Sequence, residues 1–325
     1  MIIKSFNLSL EEATEVFYSF DKNLLLNSLS PTYVFKDSLR NPKLIPTFWF
    51  ANYNQFKFLH CFHLTKNKEY KINDIESAYG YGGPISNTEN TEFLDLVANK
   101  FELWAVKNNI IAEFIRFHPL IGNHNWYMGE ISKNRQTVYI DLETDFFSNY
   151  ESRRKTDIKR GIERLTIEKV SNNLMLEIFP NLYFKNMEEV KANSFYFFNK
   201  EYLKSLISSF FTDSWIIKYQ DEIVASTLTI KSDKSKTVEY HLSASSNKGR
   251  KNKATSFMIH ALSNYYKGKN YKKFYLGGGR SSEENDKLLF FKRGFSSKRK
   301  TFFIGHKIFN KKKYDEIKSL NKKKF

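Results

Sequence analysis

One cysteine in 325 residues, Cys61, excludes an internal disulfide and fits a reducing compartment. It lies in an apolar, strand-like run and reads as a small core residue. Six prolines and thirteen glycines leave no Pro/Gly/Ser-rich linker. No run reaches the roughly 18 apolar residues of a membrane span. The opening MIIKSFNLSLEEATEVF lacks a basic segment followed by an apolar one, so no signal peptide is expected. These absences point to the cytoplasm. No phosphate loop, nucleophile elbow or dinucleotide fingerprint is present. His60 and His63 flank Cys61 without further ligands, so no metal is expected.

Acid is the other shortage. Against 52 Lys and Arg stand 35 Asp and Glu, a formal charge of +17. That balance favours a polyanionic partner: nucleic acid, an anionic membrane surface or a phosphorylated substrate. Lysine and asparagine are abundant throughout, so composition alone offers a plainer account. What the chain has in plenty is apolar and aromatic side chains, 41% and 17% of residues, enough for more than one core.

The pattern along the chain alternates helix and strand. A helix is expected over Ser9–Leu29, closed by Pro31, and a hairpin of apolar strands over Leu44–Leu64. A loop holding YGYGGP covers Asp74–Ser86. Thr91–Asn108 is a helix with Phe93, Leu94, Val97, Phe101 and Trp104 on one face. Strands follow at Ile110–Phe117 and Thr137–Leu142. A basic helix, Phe146–Arg164, precedes a strand at Thr166–Val170, and Leu182–Phe211 is helical in two pieces. Three antiparallel strands follow (Trp215–Tyr219, Glu222–Lys231, Thr237–Ala244), then a helix at Asn252–Lys267. Strands at Lys273–Leu276 and Lys300–Lys307 and a helix at Lys311–Leu320 complete the chain. Each half is a mixed α+β unit. The boundaries fall at residues 1–148 and 149–308, with a basic tail at 309–325 that carries Lys322, Lys323 and Lys324. Similarity between the halves is too weak in sequence to call a repeat.

Four segments bear on chemistry. In LGGGRSSEENDKLLFFKRGF, Leu276–Phe295, a strand runs into three glycines, so the backbone bends sharply or approaches something closely. Phe291, Lys292, Arg293, Gly294 and Phe295 then set cationic donors at an apolar surface, which suits an oxyanion or a phosphate. A helix C-terminus alone would explain Gly294 and the cations. In SSNKGRKNKATSFMIHAL, Lys248, Gly249, Arg250 and Lys251 lie in a loop before a helix, where backbone N–H groups bind phosphate. The loop resembles the pyrophosphate loop of GNAT N-acetyltransferases, with Asn252 and Ala254 where glycine is more usual. In VEYHLSA, alternation sets Val238, Tyr240 and Leu242 on one face and Glu239, His241 and Ser243 on the other. Glu239 or His241 could serve as a general base, or could belong to a polar strand face. In YGYGGP, Tyr79 and Tyr81 offer rings and hydroxyls beside Gly82 and Gly83, in a pocket wall or in a structured turn.

Taken in this order, the four segments resemble the FemABX family, transferases built from two GNAT-like domains. The resemblance implies a mixed α/β fold of two such domains, each a mostly antiparallel sheet flanked by helices. It implies transfer of an acyl or aminoacyl group to an amine of a cell-envelope precursor, a peptidoglycan peptide or amino sugar, with no covalent enzyme intermediate. The lysine of the family's Phe-Lys-x-Gly-Phe motif falls on Lys292, and Phe291 would shape the same pocket. Gly278 and Gly279 would join the donor loop, and Tyr79, Tyr81, Gly82 and Gly83 would approach the acceptor. No tightly bound cofactor is implied. The donor is aminoacyl-tRNA or acyl-CoA, and the acceptor a nucleotide- or lipid-linked precursor, with peripheral contact at an anionic membrane. The chain is shorter than the peptidoglycan-bridge enzymes and has no long coiled-coil arm, which leaves acyl-CoA open. A non-catalytic RNA-binding protein, using the Arg153–Arg164 helix on phosphates, is the reading from another class.

Overall fold

The computed structural model describes residues 2–67, 69–283 and 285–322, so Lys323 and Lys324 lie outside the described residues. Two compact units emerge, one of Met1–Asn134 with Phe302–Phe325, the other of Arg135–Thr301. The boundaries differ from those expected at 148 and 308 because the chain changes unit inside strands, not in linkers. The strand β7 (Glu130–Asp141) spans the first boundary and β13 (Arg299–Ile308) the second. The described residues from 309 on therefore group with the first unit rather than forming a separate tail.

Unit 1 begins with β1 (Lys4–Asn7) and α1 (Leu10–Tyr18). Ser9 and Glu12 form a reciprocal capping box on α1, which fixes its start. The helix ends at Tyr18, well short of Leu29. Pro31 opens a second helix, α2 (Pro31–Ser38), at a position where its missing N–H costs nothing. Next come β2 (Leu44–Tyr53), β3 (Phe56–Asn67), β4 (Ile72–Glu76), β5 (Gly83–Ser86), α3 (Thr91–Lys107) and β6 (Ile110–Arg116). Asn90, not Thr91, caps α3 through Oδ1 to the Phe93 N–H at 2.8 Å. The expected stripe is buried at Phe93, Val97 and Phe101, against Trp49, Phe58 and Phe62 from the sheet. Strands β1, β2, β3 and β4 pair antiparallel in that order, and β4 pairs parallel with β6. The far side of β6 takes residues 304–308 of β13, antiparallel, and α10 (Lys311–Lys322) follows.

Unit 2 contains α4 (Ser152–Ile162), β8 (Leu165–Lys169), α5 (Asn172–Glu189), α6 (Lys200–Ile207), β9 (Thr212–Tyr219), β10 (Glu222–Ser232) and β11 (Thr237–Ser245). Then follow α7 (Asn247–Lys251), α8 (Ala254–Gly268), β12 (Lys273–Gly278) and α9 (Lys287–Arg293). Helix α5 starts at Asn172 and carries Pro180 inside it. Met175, Phe179 and Tyr183 bury at four-residue spacing across that proline, so packing overrides the local break. Its core joins α8 (Met258, Ile259, Leu262, Tyr266) to Val238, Phe274 and Leu276 of the sheet. Strands β8 to β11 pair antiparallel in succession, β11 pairs parallel with β12, and β12 pairs antiparallel with residues 137–141 of β7.

The two units therefore share one plan. In each, four antiparallel strands lead to a long helix and then a strand parallel to the fourth, with the short β5 of unit 1 added antiparallel to β3. The repeat that is too faint to claim in sequence is plain in topology. No described helix is long and apolar enough to cross a membrane.

Candidate active site

In unit 2, β11 and β12 pair only over Thr237–Glu239 and Lys273–Tyr275. Beyond that, β11 continues against β10 to Ser245, while β12 continues against β7 to Gly278. The two parallel strands thus part at their C-terminal ends. Gly277, in the left-handed region at φ 78°, takes up the irregularity that β12 shows after Tyr275.

The glycine run, the Asp286 carboxylate and Lys292 interlock at this point. Asp286 Oδ2 accepts the N–H groups of Arg280 and Ser281 at 2.9 and 3.0 Å. Its Oδ1 accepts those of Leu288 and Leu289 at 2.9 and 2.8 Å, capping α9. A Cβ at residue 279 would collide with Asp286 Oδ1, which is why glycine stands there. Lys292, buried on α9, donates from Nζ to the Gly278 carbonyl at 2.7 Å. Burial pushes its pKa down to about 8, with Asp286 opposing the shift. An ammonium has three donors, and among the described residues this one has a single acceptor.

Phe291 occupies a different environment. The Arg154 guanidinium of α4 lies over its ring at 4.8 Å and over that of Phe295 at 5.9 Å. A Cβ at Gly294 would stand 2.6 Å from Arg154 Cγ, so the glycine makes room for the arginine. Arg154 also pairs with Asp157 at 3.0 Å and reaches Ser256 Oγ at 3.2 Å. The crowding of phenylalanines and cations in this turn is therefore the seat of a buried arginine from the basic helix. Arg153, Lys159, Arg160 and Arg164 of the same segment are exposed.

Glu239 is buried on β11 opposite Tyr275, at the last paired position before the strands part. His241, half-buried, lies where the β10–β11 register skips a residue. This bulge breaks the expected alternation. Tyr240 Oη donates to Ser243 Oγ at 2.6 Å, a contact that a flat strand would place on opposite faces.

The expected donor loop folds into α7. Gly249 is buried, and a Cβ there would strike the Val224 carbonyl. Lys248 pairs with Glu222, and Arg250 with Glu189. Arg250 also donates to the Ser245 carbonyl at 2.6 Å, while Asn186 Oδ1 accepts the Ser245 N–H at 2.7 Å. Lys251 is exposed and has no ion pair among the described residues.

The YGYGGP loop lies in unit 1. Tyr33 donates to the Tyr79 carbonyl at 2.8 Å, and Tyr79 N–H donates to buried Asp37 at 2.9 Å. Tyr81 packs edge-on to His118 and Phe302. Gly82 N–H donates to the Arg116 carbonyl at 2.7 Å, Asn123 Nδ2 donates to the Gly82 carbonyl at 2.8 Å, and Gly83 pairs with Cys61. The histidines beside Cys61 diverge: His60 contacts Glu113 at 2.8 Å, and His63 contacts the Val34 carbonyl at 2.9 Å. No metal-binding cluster occurs among the described residues.

Asp286, Asn186 and Asp37 are not apparent as structural anchors from sequence, and Arg154, expected on a phosphate-contact surface, is buried. Asp286 carried a signal, an aspartate directly before a short helix, which is the N-cap pattern. Asn186 and Asp37 carried none, because their partners are distant in sequence.

No family model and no curated protein matches the chain. Its fold, however, is similar to the tandem GNAT fold of solved structures. Over 97% of this chain and 99% of the other, it superposes on a crystal structure of FemX with a TM-score of 0.69 at 12% identity. It is also similar to the C-terminal domain of a putative lysylphosphatidylglycerol synthetase from Agrobacterium fabrum, TM-score 0.60 at 14% identity over 92% of both chains. A tandem GNAT protein of the clavulanic acid pathway gives 0.51 at 9% identity, over 94% of this chain and 98% of that one.

Proposed function

We propose that the protein is an N-acyltransferase that moves an acyl or aminoacyl group onto an amine of a cell-envelope precursor. The observation that carries this reading is the buried Lys292 ammonium on the Gly278 carbonyl, where β11 and β12 part. The acceptor amine attacks the ester or thioester carbonyl of the donor, and the C–N bond forms as the carbonyl electrons move to oxygen. Lys292 stabilises that oxyanion with its remaining donors. Collapse expels the ribose hydroxyl or the thiol, which takes up the proton given up by the amine. Glu239, at the last pairing of β11 with β12, and His241, just beyond it, are candidates to carry that proton. The Tyr79–Gly83 loop serves the acceptor. FemX and the lysylphosphatidylglycerol synthetase, as fold neighbours, support transfer chemistry of this kind. The reaction belongs to the cytoplasm, at the inner face of the membrane where such precursors are made.

Two donors suit the site for different reasons. Beyond Glu239, β11 offers a strand edge along which an amide-bearing acyl-CoA arm can pair. The exposed Arg153, Lys159, Arg160 and Arg164 instead suit the phosphates of aminoacyl-tRNA. Titration with acetyl-CoA and, separately, with charged and uncharged tRNA at physiological salt decides between them. Salt-resistant saturation by acetyl-CoA supports the first, and preference for charged tRNA the second. Binding of RNA without any transfer would replace both with the non-catalytic reading.

A further inference from the structure

Between α5 and α6 the chain turns through Ser194–Tyr196 and presents Phe195, Tyr196 and Phe197 in succession, 43%, 37% and 41% exposed. The turn is firmly built. Asn193 Oδ1 accepts the Phe195 N–H at 2.9 Å, and Tyr196 and Phe197 donate back to Asn193 and Ser194 at 3.0 Å. Tyr183 of α5 donates to the Tyr196 carbonyl at 2.9 Å, and the next residue, Phe198, is buried and stacked on Tyr183. A buried aromatic anchor thus holds three rings toward solvent, where adjacent exposed aromatics mark an interaction site.

Lysines border the turn. Lys191 precedes it, and Lys200 and Lys204 project from α6, whose Tyr202, Leu203, Leu206 and Ile207 face the core. None of the three lysines has an ion pair among the described residues. Glu188 and Glu201 are also exposed, while Glu189 is engaged by Arg250.

We propose that this turn inserts into an anionic bilayer surface, with the three rings at headgroup level and the lysines against anionic lipid. Three partly exposed rings on one tight turn offer far less than the roughly 800 Å² per partner of a stable protein interface. A bilayer needs no complementary shape, and aromatic rings with neighbouring cations suit its interface. The chain's charge of +17 acts in the same direction.

Co-sedimentation of the full chain with phosphatidylcholine vesicles, with and without phosphatidylglycerol, tests this without recourse to turnover. The expected result is binding to the anionic vesicles that weakens with added salt. Phe195→Ser with Phe197→Ser should lower partitioning by about tenfold or more, and Lys191→Glu with Lys200→Glu should remove the preference for anionic lipid. A Phe197→Trp variant should be quenched by brominated lipid beyond the quenching of the native tryptophans. Equal binding by wild type and variants, or no binding to either vesicle, overturns the proposal. A concentration-dependent dimer abolished by the serine changes would assign the turn to a second copy and overturn it as well.

Discussion

The two units share the order of their main strands and differ where the parallel pair parts. In unit 1, where β4 leaves β6 after Glu76, the chain itself fills the opening. Ser77 N–H donates to the Phe114 carbonyl, and Gly82 N–H to that of Arg116, so residues 77–82 line the end of β6. Gly82 also bridges to Phe117. In unit 2, β11 and β12 part after Glu239 and Tyr275, and no described backbone segment bridges them. A buried cation, Lys292, instead donates to the Gly278 carbonyl at the end of β12. The same parting of parallel strands is thus closed by the chain itself in one unit and left unbridged by described backbone in the other. The glycines follow this division: Gly82 and Gly83 permit close packing of the seal, and Gly277–Gly279 permit the turn that Asp286 and Lys292 hold.

Lys292→Met is the strongest way to break that comparison. If unit 2 holds the oxyanion site, turnover should fall by about 10²–10³ with the protein folded and donor binding retained. Steady-state rates beside circular dichroism measure both. Near-normal turnover removes Lys292 from the mechanism and leaves the two openings equivalent.

Arg154→Ala should act through stability. It removes the guanidinium over Phe291 and Phe295 and leaves Asp157 with less compensation, at about 3 kcal/mol. Arg153→Ala and Lys159→Ala, both exposed, should stay within about 0.5 kcal/mol. Denaturant midpoints separate the two classes. The outcome bears on nucleic-acid binding too, since charge reversal at Arg154 would report unfolding and not lost RNA contacts.

Titration gives a sharper form of the Lys292 prediction, because its two consequences run in opposite directions. In the unfolded chain the amine keeps its ordinary value of 10.5, and in the folded chain it is near 8. Between these values the unfolded state binds more protons, so stability rises with pH, by up to about 3 kcal/mol across the window. Below about 8 the cost of the buried charge is present in full. Activity that needs the ammonium should meanwhile fall as pH passes about 8. Unfolding curves for wild type and Lys292→Met at pH 7 and pH 10 should show a gap that changes with pH, in favour of wild type at the higher value.

Legibility in the sequence followed the range of the interaction. The α3 stripe, the three strands β9 to β11 and the glycine run before Lys292 rest on local spacing, and each could be read directly. Helix α5 could not, because Pro180 argues locally for a break and only distant packing overrides it. The bulge at His241 inverts a face that simple alternation assigns. Arg154 read as part of a phosphate-contact surface because nothing local shows that Gly294 makes room for it. The unit boundaries were hidden because the chain changes unit within β7 and β13, where composition does not shift.

The seal in unit 1 yields a smaller effect. Gly82→Ala would bring a Cβ to 2.6 Å from Ser77 Cβ, a clash that should cost about 1–3 kcal/mol. If the Tyr79–Gly83 loop serves the acceptor, KM for the acceptor should rise while donor affinity holds. A change in donor affinity instead would mean that the sealed opening also takes part in donor binding.

The smallest effect tests the α7 loop. Lys248 and Glu222 are both substantially exposed, so their ion pair should contribute less than about 1 kcal/mol, and Lys248→Ala should barely move the denaturation midpoint. Arg250→Ala should move it further, because the Ser245 carbonyl then loses its partner. If these cations also meet donor phosphates, each substitution raises the donor KM several-fold at unchanged kcat, the pattern of lost uniform binding. Unchanged KM in both variants would reduce α7 to a brace between β10, β11 and α5, and leave Lys251 and the start of α8 as the loop's contribution to the donor.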